Sequence, residues 1–308
     1  MSRVALVTCK SVPAGNSDDL LVLPHLAALG VTAEPAVWTD LKLDWSIYDA
    51  VIIRSTWDYH LHIADFLQWL GYLVDLGVAV WNMPAVLRWN SDKRYLLELQ
   101  KRGVNIVPTK LLTRNQLVNL PHVLQSSGWS KAVVKPTISA SAHSTWLTEP
   151  ATAERDQRQL MAMMLHSDVL VQPLMSEVMK DGVYSFVFFA GAYSHCLRKL
   201  PRAGDYRTQS EFGGQTRLFA PPDDWISQAS AILEQLPLPQ LYARVDCIVR
   251  DNALMLMELE LIEPWLGLGL APGAPARFAA AIALAARRAL EGRTHGALPD
   301  ARNQKLIE

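Results

Sequence analysis

The sequence predicts an α/β protein whose C-terminal part changes to α+β. In roughly the first ninety residues, apolar strand-like segments alternate with helical ones, which is typical of a parallel sheet flanked by helices. Towards the C-terminus, neighbouring strand-like segments predict antiparallel hairpins instead. The chain has 308 residues, which is enough for two or three domains with buried cores.

The N-terminal alternation can be assigned element by element. Strands are predicted at residues 4–9, 33–38, 48–54 and 78–81, and helices at residues 18–29 and 63–76. Pro24 should kink the first helix, because proline disturbs a helix interior. Both helices are followed by a glycine, which commonly ends a helix. The four apolar residues before Arg54 indicate a strand buried on both faces.

Polar side chains gather where this strand ends. Ligands of parallel α/β sheets bind at the carboxyl ends of strands, so the segment 54–59 is a candidate substrate site. Arg54 is suited to bind a carboxylate through two hydrogen bonds, and Trp57 or Tyr59 to line a pocket. The alternative is a loop in which Asp58 only pairs with Arg54.

The most informative feature is a pair of predicted C-terminal strands at residues 242–249 and 254–264. A three-residue loop at 251–253 places Asp246 opposite Glu258, and Arg244 opposite Glu260, on one face of the hairpin. Carboxylates this close repel one another, so a cation is expected among them. Oxygen ligands favour Mg²⁺, with Mn²⁺ as a second choice, and Mg²⁺ usually binds phosphates as well. The alternative is an amphipathic hairpin whose acids face solvent.

Two lysines are candidates for phosphate binding. Lys93 follows Asn90 and Ser91, one of which is expected to cap a helix that ends at Gly103. A lysine in the first turn opposes the helix dipole, which favours a nearby anion. Lys135 ends an apolar strand and precedes a loop of small residues that is not a Walker A motif. The alternatives are a surface lysine and an exposed connection.

Two further segments are consistent with a nucleotide site. The end of a predicted strand at 169–173 could present main-chain groups to an adenine, and Glu177 to a ribose, although spacing alone does not show this. A predicted hairpin over residues 184–200 then leads into a basic segment that contains Lys199 and Arg207. That segment is either a solvated rim or a binding site for an acyl phosphate.

Composition excludes several classes of protein. The formal net charge of -1 gives no reason to expect nucleic acid or a membrane surface as a partner. The sequence has no run of eighteen apolar residues, and its apolar start is too short for a signal-peptide core. Three scattered cysteines without a CxxC motif predict free thiols in a reducing cytoplasm.

In this order, the segments resemble the ATP-grasp superfamily. They are similar to its glutathione-synthetase-like branch, which includes the D-cycloserine-forming ligase. The similar stretches lie at residues 53–59, 88–96, 134–136, 171–173, 194–199, 211–214, 242–246 and 257–264. The resemblance covers almost the whole chain and implies an ATP-grasp fold with an N-terminal Rossmann-like domain. The implied domains are 1–90 (pre-ATP-grasp, substrate side), 91–175 (lid subdomain) and 176–308 (metal-binding subdomain).

The resemblance also implies a role for each candidate residue. Those expected to bind ATP through its phosphates, adenine or ribose are Lys93, Lys135, Gln172, Leu174 and Glu177. Those expected to hold two Mg²⁺ ions are Asp246, Glu258 and Glu260. Those expected to neutralise the transferred phosphoryl group are Lys199, Arg207 and Arg244. Those expected to face the substrate are Arg54, Thr56, Asp58 and Ser139.

The implied activity is ATP-dependent amide formation through an acyl phosphate on a small amino-acid-like substrate, with intramolecular ring closure as one form. The loop 139–145 should act as a lid, although it lacks the glycines usual in this branch. The segment 265–269 also departs from the usual pattern. A kinase on the same fold and a non-catalytic nucleotide-binding protein are the alternatives. Relatives are often dimers or tetramers, so a homo-oligomer is compatible with the resemblance.

Overall fold

The computed structural model describes residues 2–114, 116–236 and 238–294. In this part of the chain the strands form three sheets, which follow one another along the sequence. Each sheet lies inside one of the three predicted domains, whose boundaries themselves stay a prediction. Within the same ranges, no helix combines the length and hydrophobicity that a membrane span requires.

The N-terminal sheet is parallel and has the order β2-β1-β3-β4. Its strands are β1 (Ser2–Thr8), β2 (Val31–Val37), β3 (Ala50–Ser55) and β4 (Ala79–Trp81). The accompanying helices are α1 (Ser17–Leu20), α2 (Leu23–Ala28), α3 (Ile63–Asp75) and α4 (Pro84–Asn90). The predicted kinked helix is therefore wrong, because α1 and α2 are separate. Pro24 lies in the first turn of α2, where its missing N–H removes no helical hydrogen bond.

The central sheet is antiparallel and has the order β5-β8-β6-β7. Its strands are β5 (Lys110–Leu112), β6 (Ala132–Pro136), β7 (Trp146–Thr148) and β8 (Val169–Pro173). The helices of this segment are α5 (Tyr95–Lys101), α6 (Leu120–Ser127) and α7 (Ala153–Met164). Helix α5 packs in the core of the C-terminal sheet, where Leu96 and Leu99 join Phe186.

The C-terminal sheet is antiparallel and has the order β11-β10-β9-β12-β13. Helix α8 (Ser176–Lys180) precedes its strands β9 (Val183–Phe189), β10 (Ala192–Leu200) and β11 (Gln215–Phe219). Helix α9 (Asp223–Glu234) separates these from β12 (Tyr242–Arg250) and β13 (Ala253–Glu260). Helix α10 (Ala274–Thr294) follows. Short 3-10 helices lie at Trp45–Ile47, Tyr59–Leu61, Ser210–Phe212 and Leu268–Leu270.

Helix α10 joins the N-terminal and C-terminal sheets through one apolar core. Phe278 and Ile282 of α10 are buried together with Leu6 of β1 and Phe189 of β9. The rings of Phe278 and Phe189 stack with centroids 4.8 Å apart. Buried aromatic side chains contribute large apolar areas, so this core fixes one sheet against the other.

The hairpin of β12 and β13 has the predicted register in spite of a different turn. Asp251 and Asn252 form a two-residue turn with positive φ, and Arg250 pairs with Ala253. A three-residue loop was predicted, so the expected turn was wrong by one residue. A bulge between Asp246 and Cys247 compensates for the shorter turn, because β13 has one extra, unpaired residue there. Asp246 therefore lies opposite Glu258, and Arg244 opposite Glu260, as predicted.

The outer edge of β13 is covered by the segment that links the first two sheets. Leu256 exchanges backbone hydrogen bonds with Asn105 and Val107. The Tyr95 hydroxyl both accepts from the amide of Leu259 and donates to its carbonyl, each at 2.9 Å. An edge strand would otherwise expose these groups, so the linker completes the sheet.

The predicted helix at the start of this linker is corrected by the structure. Asn90 is the final residue of α4 and does not cap a helix ending at Gly103. Its side chain instead donates to the carbonyl of Leu259 and accepts from the amide of Leu261. Lys93 accordingly lies in the connection between α4 and α5 and not inside a helix.

The irregular segment after β13 is held through its carbonyl groups. Each carbonyl from Leu261 to Leu266 accepts a hydrogen bond from a side chain of another element. In chain order, the donors are Asn82, Tyr242, Trp57, Arg54, Arg244 and His195. We call residues 261–266 the clamped segment. Buried carbonyls need partners, and this segment has no neighbouring strand to supply them.

Asn82→Ala should lower the free energy of unfolding by about 3 kcal/mol, because several buried backbone groups would lose their partner. The Asn82 side chain is fully buried, donates to the carbonyls of Tyr242 and Leu261, and accepts from the amide of Leu241. Urea denaturation measures the change. Asn105→Ala is the matched control, since Asn105 donates one side-chain hydrogen bond, to Leu254. Asn105→Ala should lower the free energy of unfolding by about 1 kcal/mol. If both variants lose the same amount, the clamping role of Asn82 is contradicted.

His195 should make stability depend on pH. Burial lowers its pKa, and nearby Arg277 lowers it further, against the hydrogen bond to Leu266. A histidine whose pKa is lowered by folding binds protons more readily in the unfolded chain. The free energy of unfolding should therefore fall as the pH drops below the unfolded value of about 6.5.

The comparison is made by urea denaturation between pH values of about 8 and 5. His195→Gln should be less stable than the wild type at the upper pH but should lose less stability on acidification. His166→Gln serves as a control, because His166 is exposed. If His195→Gln and the wild type lose the same stability over this range, His195 is not the titrating group.

Candidate active site

One cleft of about 720 Å³ is lined by side chains from the central and C-terminal sheets, from the linker before the central sheet and from the segment after β3. Most of the residues proposed from the sequence lie there. These are Lys93, Lys135, Ser139, Gln172, Leu174, Lys199, Arg207, Arg244, Asp246, Glu258 and Glu260. Four others do not line the cleft, namely Arg54, Thr56, Asp58 and Glu177.

Arg244 is the centre of the charged cluster in this cleft. Its Nε and Nη2 atoms each donate to Asp246 at 2.9 Å, and Nη2 also donates to Glu260. Its Nη1 donates to the carbonyl of Trp265 at 2.8 Å. Burial lowers the pKa of Arg244, but Asp246 and Glu260 outweigh it and raise this pKa. Alternating strand geometry brings these groups together, because they share one face of β12 and β13.

Two lysines extend the cluster. Lys199 Nζ lies 3.5 Å from Asp246 Oδ2, and Lys93 Nζ lies 3.0 Å from Glu258 Oε1. Burial raises the pKa of Asp246, but Arg244 and Lys199 more than offset it and lower that pKa. Burial also raises the pKa of Glu258, which Lys93 and Lys135 lower overall. Both acids are therefore held as carboxylates.

Two other acids of the cleft, Glu260 and Glu263, have raised pKa values. Burial raises the pKa of Glu260, and the neighbouring Asp246 and Glu258 add to the effect. Burial and nearby Glu260 raise the pKa of Glu263 to about 8. A like charge disfavours ionisation, so both acids would gain from an additional cation in the cleft.

The fit of a metal ion can be judged from the three acids of the hairpin. In the described residues, no three His, Cys, Asp or Glu side chains are already arranged to hold a metal ion. Arg244, Lys93 and Lys199 are interleaved among Asp246 and Glu258 instead. The donor set nevertheless fits, since carboxylate oxygens are what Mg²⁺ prefers, and a cation would offset the repulsion from Asp246 and Glu258 that helps to raise the pKa of Glu260.

An apolar wall borders the nucleotide candidates. Met175, Val178 and Val183 pack together in a small apolar cluster. All three also line the cleft, next to Leu174. The Leu174 amide already donates to the carbonyl of Lys131 at 3.0 Å, so this N–H is not available to an adenine. The Gln172 side chain is likewise used, donating to Thr109 Oγ1 at 2.9 Å. The apolar wall had no clear signal in the sequence, because its residues come from separate elements.

Lys135 borders the cleft from β6, and Arg207 borders it from the connection between β10 and β11. Burial lowers the pKa of Lys135, against the attraction of Glu258. Arg207 pairs with Asp205 at 2.8 Å, and its guanidinium carbon lies 3.7 Å from the ring centroid of Phe212. Both cations thus face the cleft from fixed positions.

The loop 139–145 lies over the cleft in a strained conformation. Ser141, Ala142 and Ser144 have positive φ values of 48°, 55° and 54°, which non-glycine residues rarely adopt. Lys93 Nζ donates to the carbonyl of Ser139. The ring of His143 lies 5.4 Å from that of His60, between centroids. The loop is therefore in contact with the N-terminal region although it has no glycine.

The structure corrects the expectation that Arg54 faces the substrate. Arg54 is 1% exposed, and its Nε donates to Asp19 Oδ1 at 2.8 Å. Thr56 is fully buried, and Asp58 accepts from Trp38 Nε1 at 2.8 Å. The alternative pairing of Asp58 with Arg54 is also wrong. Arg54 points inward because it neutralises Asp19 and binds the clamped segment.

The neighbouring aromatic residues Trp57 and Tyr59 do line the cleft, as predicted. Glu177 does not, because Arg250 Nε donates to it at 2.5 Å outside the cleft. Glu263 and Trp265 are among the cleft residues that had no role assigned from the sequence. The signal for Glu263 was present, since it is the third acid of one short run and precedes a proline.

Known proteins share this fold and much of this sequence. A family profile described as the N-terminal domain of D-cycloserine synthetase DcsG matches residues 4–82. The cycloserine biosynthesis protein DcsG of Streptomyces lavendulae is 32% identical over 298 residues, which span 92% of this chain and 98% of that protein. The crystal structure of D-cycloserine synthetase DcsG superposes with a TM-score of 0.83 at 28% identity, over 92% of this chain and 100% of the other.

A more distant structure shows the same fold. D-alanine–D-alanine ligase from Bacillus anthracis, complexed with ATP, superposes with a TM-score of 0.67 at 15% identity, over 95% of this chain and 100% of the other. The match to DcsG is stronger, because it combines nearly full coverage with substantial identity. The chain therefore belongs to the ATP-grasp family of ATP-dependent carboxylate–amine ligases, in the branch that includes D-cycloserine synthetase.

Proposed function

We propose that the cleft activates the carboxylate of an amino-acid-like substrate and joins it to a nitrogen. The γ-phosphoryl group of ATP passes to the carboxylate oxygen, which gives an acyl phosphate and ADP. The nitrogen then attacks the acyl carbon, inorganic phosphate leaves, and the nitrogen loses a proton. The observation that carries this proposal is the convergence of lysines, arginines and carboxylates on one cleft, from the linker, the central sheet, and the C-terminal sheet with its connections.

The nucleotide lies, in this proposal, between the apolar wall and the two lysines of the linker and β6. The adenine packs on the apolar wall beside Leu174, while Lys93 and Lys135 bind the phosphates of the nucleotide. Positioning of this kind is a large part of catalysis of phosphoryl transfer, since the protein supplies little covalent chemistry. The cost of holding Lys135 charged beside Lys93 would fall once phosphates arrive.

The transferred phosphoryl group is assigned to Lys199, Arg207 and Arg244. Arginine offers a planar fork of donors that suits phosphate oxygens, and Arg244 is held in place by Trp265 and Asp246. Fixed donors aimed at developing charge stabilise a transition state more than mobile ones do. These three residues are therefore the proposed catalytic group.

Asp246, Glu258 and Glu260 would hold Mg²⁺, with Mn²⁺ as a substitute, and the ion would neutralise phosphate charge. The side chains themselves have a second task. They fix Arg244, Lys199 and Lys93 through ion pairs before a nucleotide is present. The cluster is thus organised in advance by its own opposite charges.

The substrate class is inferred from the relative. A protein 32% identical over nearly the whole chain is named for the biosynthesis of cycloserine, a cyclic amino-acid derivative. We therefore propose a small amino-acid-like substrate, with ring closure inside one molecule as the preferred form. Ser139 and several residues of its loop line the cleft, and in this proposal the loop keeps water from the acyl phosphate.

The first test is product analysis with Mg-ATP and a panel of amino acids and amines that includes O-ureidoserine. The expected result is ADP and free phosphate in equal amounts, with an organic product that has lost water, detected by mass spectrometry. A phosphorylated product would mean that the protein is a kinase. Binding of ATP without ADP release for every compound would mean a binding protein instead.

Glu258→Gln should reduce ADP release at least a hundredfold, because it removes a proposed ion ligand and the partner of Lys93. Its thermal unfolding should stay cooperative, which separates lost chemistry from lost structure. Glu149→Gln is the matched control, since Glu149 forms an exposed pair with Lys131 outside the cleft. The metal assignment fails if Glu258→Gln turns over ATP at a nearly normal rate.

A further inference from the structure

Glu263 differs from Asp246, Glu258 and Glu260 in that it is partly buried in the cleft without an ion pair among the described residues. Asp246, Glu258 and Glu260 each form an ion pair with a lysine or arginine. Glu263 forms none with any residue that the structure describes. It nevertheless lines the cleft, where it is only partly exposed. A carboxylate in such a place costs free energy unless a cation joins it.

The backbone at Glu263 is held more firmly than loop residues usually are. Its own carbonyl accepts from Trp57 Nε1 at 3.3 Å. The next two carbonyls accept from Arg54 at 3.0 Å and from Arg244 at 2.8 Å. Three side chains thus fix three successive peptide groups, so the carboxylate projects from a rigid base. A preorganised group of this kind binds a ligand with little further loss of entropy.

The surroundings of Glu263 suit an organic cation. Trp57, Tyr59 and Trp265 line the same cleft as Glu263. Aromatic faces attract ammonium groups, and a carboxylate beside them adds a charge-assisted hydrogen bond. The charge of Glu263 also reaches the Tyr59 hydroxyl, whose pKa is raised by burial first and by Glu263 next. The indole rings of Trp57 and Trp265, by contrast, offer a metal ion no oxygen ligand.

We propose that Glu263 recognises the protonated amine of the substrate and thereby selects amino acids over simple carboxylic acids. This inference rests on the proposed function, whose substrate it specifies further. Glu263 is a specificity residue in this view and not a ligand of the metal ion. Trp57 and Trp265 complete the subsite, which lies next to the phosphoryl-binding group because Arg244 binds the carbonyl of Trp265.

The test compares binding of an amino acid with binding of its N-acetyl derivative, which lacks the cationic amine. The probe is the amino acid that best drives ADP release in the panel, or serine with N-acetylserine if none does. Dissociation constants are measured by calorimetry in the presence of Mg-ADP, so that no turnover occurs. The wild type should prefer the amine about tenfold or more, as expected for a charged hydrogen bond.

Glu263→Gln should bring that preference close to one while changing the affinity for ADP less than twofold. Glu263→Asp keeps a carboxylate and should retain part of the preference. This variant also decides the matter if Glu263→Gln does not unfold cooperatively. Glu211→Gln is the control, since Glu211 lines the cleft at an exposed position. It should leave the preference unchanged.

Three results would overturn the proposal. The first is a wild type that binds the N-acetyl compound as well as the free amino acid. The second is a preference that survives Glu263→Gln, and the third is a loss of ADP affinity as large as the loss for the amino acid. Amine preference without ADP release from any compound would overturn the ligase reaction and leave the subsite intact. If the wild type releases ADP but Glu263→Gln keeps the amine preference, the ligase reaction stands and the proposed subsite is overturned.

Discussion

The packing of the N-terminal sheet against the C-terminal sheet depends on the hydrogen bonds that the backbone carbonyls of the clamped segment accept. Its six carbonyls have no strand beside them, and each accepts from a side chain. Three donors come from the N-terminal sheet and its connections, and three come from the C-terminal sheet. Neither sheet alone could satisfy the segment. The need to pair buried carbonyls therefore joins the two sheets, in addition to the apolar core of α10.

The same constraint places the charged side chains of the cleft. The clamped segment continues β13, whose outer edge is closed by Tyr95, Asn90 and the backbone around Asn105. With both edges paired, the strand cannot slip, so Glu258 and Glu260 stay opposite the residues of β12. A slip of one residue would turn every acid to the other face of the sheet. Backbone pairing at Leu259 and Leu261, the chain neighbours of the acids, thus sets the electrostatics of the site.

Sequence reasoning succeeded where local rules govern structure and failed where partners are distant. Strand alternation and the expected ladder gave the pairing of Asp246 with Glu258, although a bulge compensated for the wrong turn. The direction of Arg54 could not be predicted, since it depends on Asp19 and on a carbonyl 210 residues away. The capping prediction for Asn90 failed for the same reason. Tertiary hydrogen bonds override local preferences when they bury several polar groups at once.

The positive φ values in the loop 139–145 have a thermodynamic consequence. A glycine-rich loop closes against a loss of conformational entropy, a cost that grows with temperature. Here Ser141, Ala142 and Ser144 are held in the left-handed region, which costs about 1 kcal/mol or more each in torsional and steric energy. That cost is mainly enthalpic. Any closing of this loop over a ligand should therefore depend less on temperature than the closing of a glycine-rich loop would.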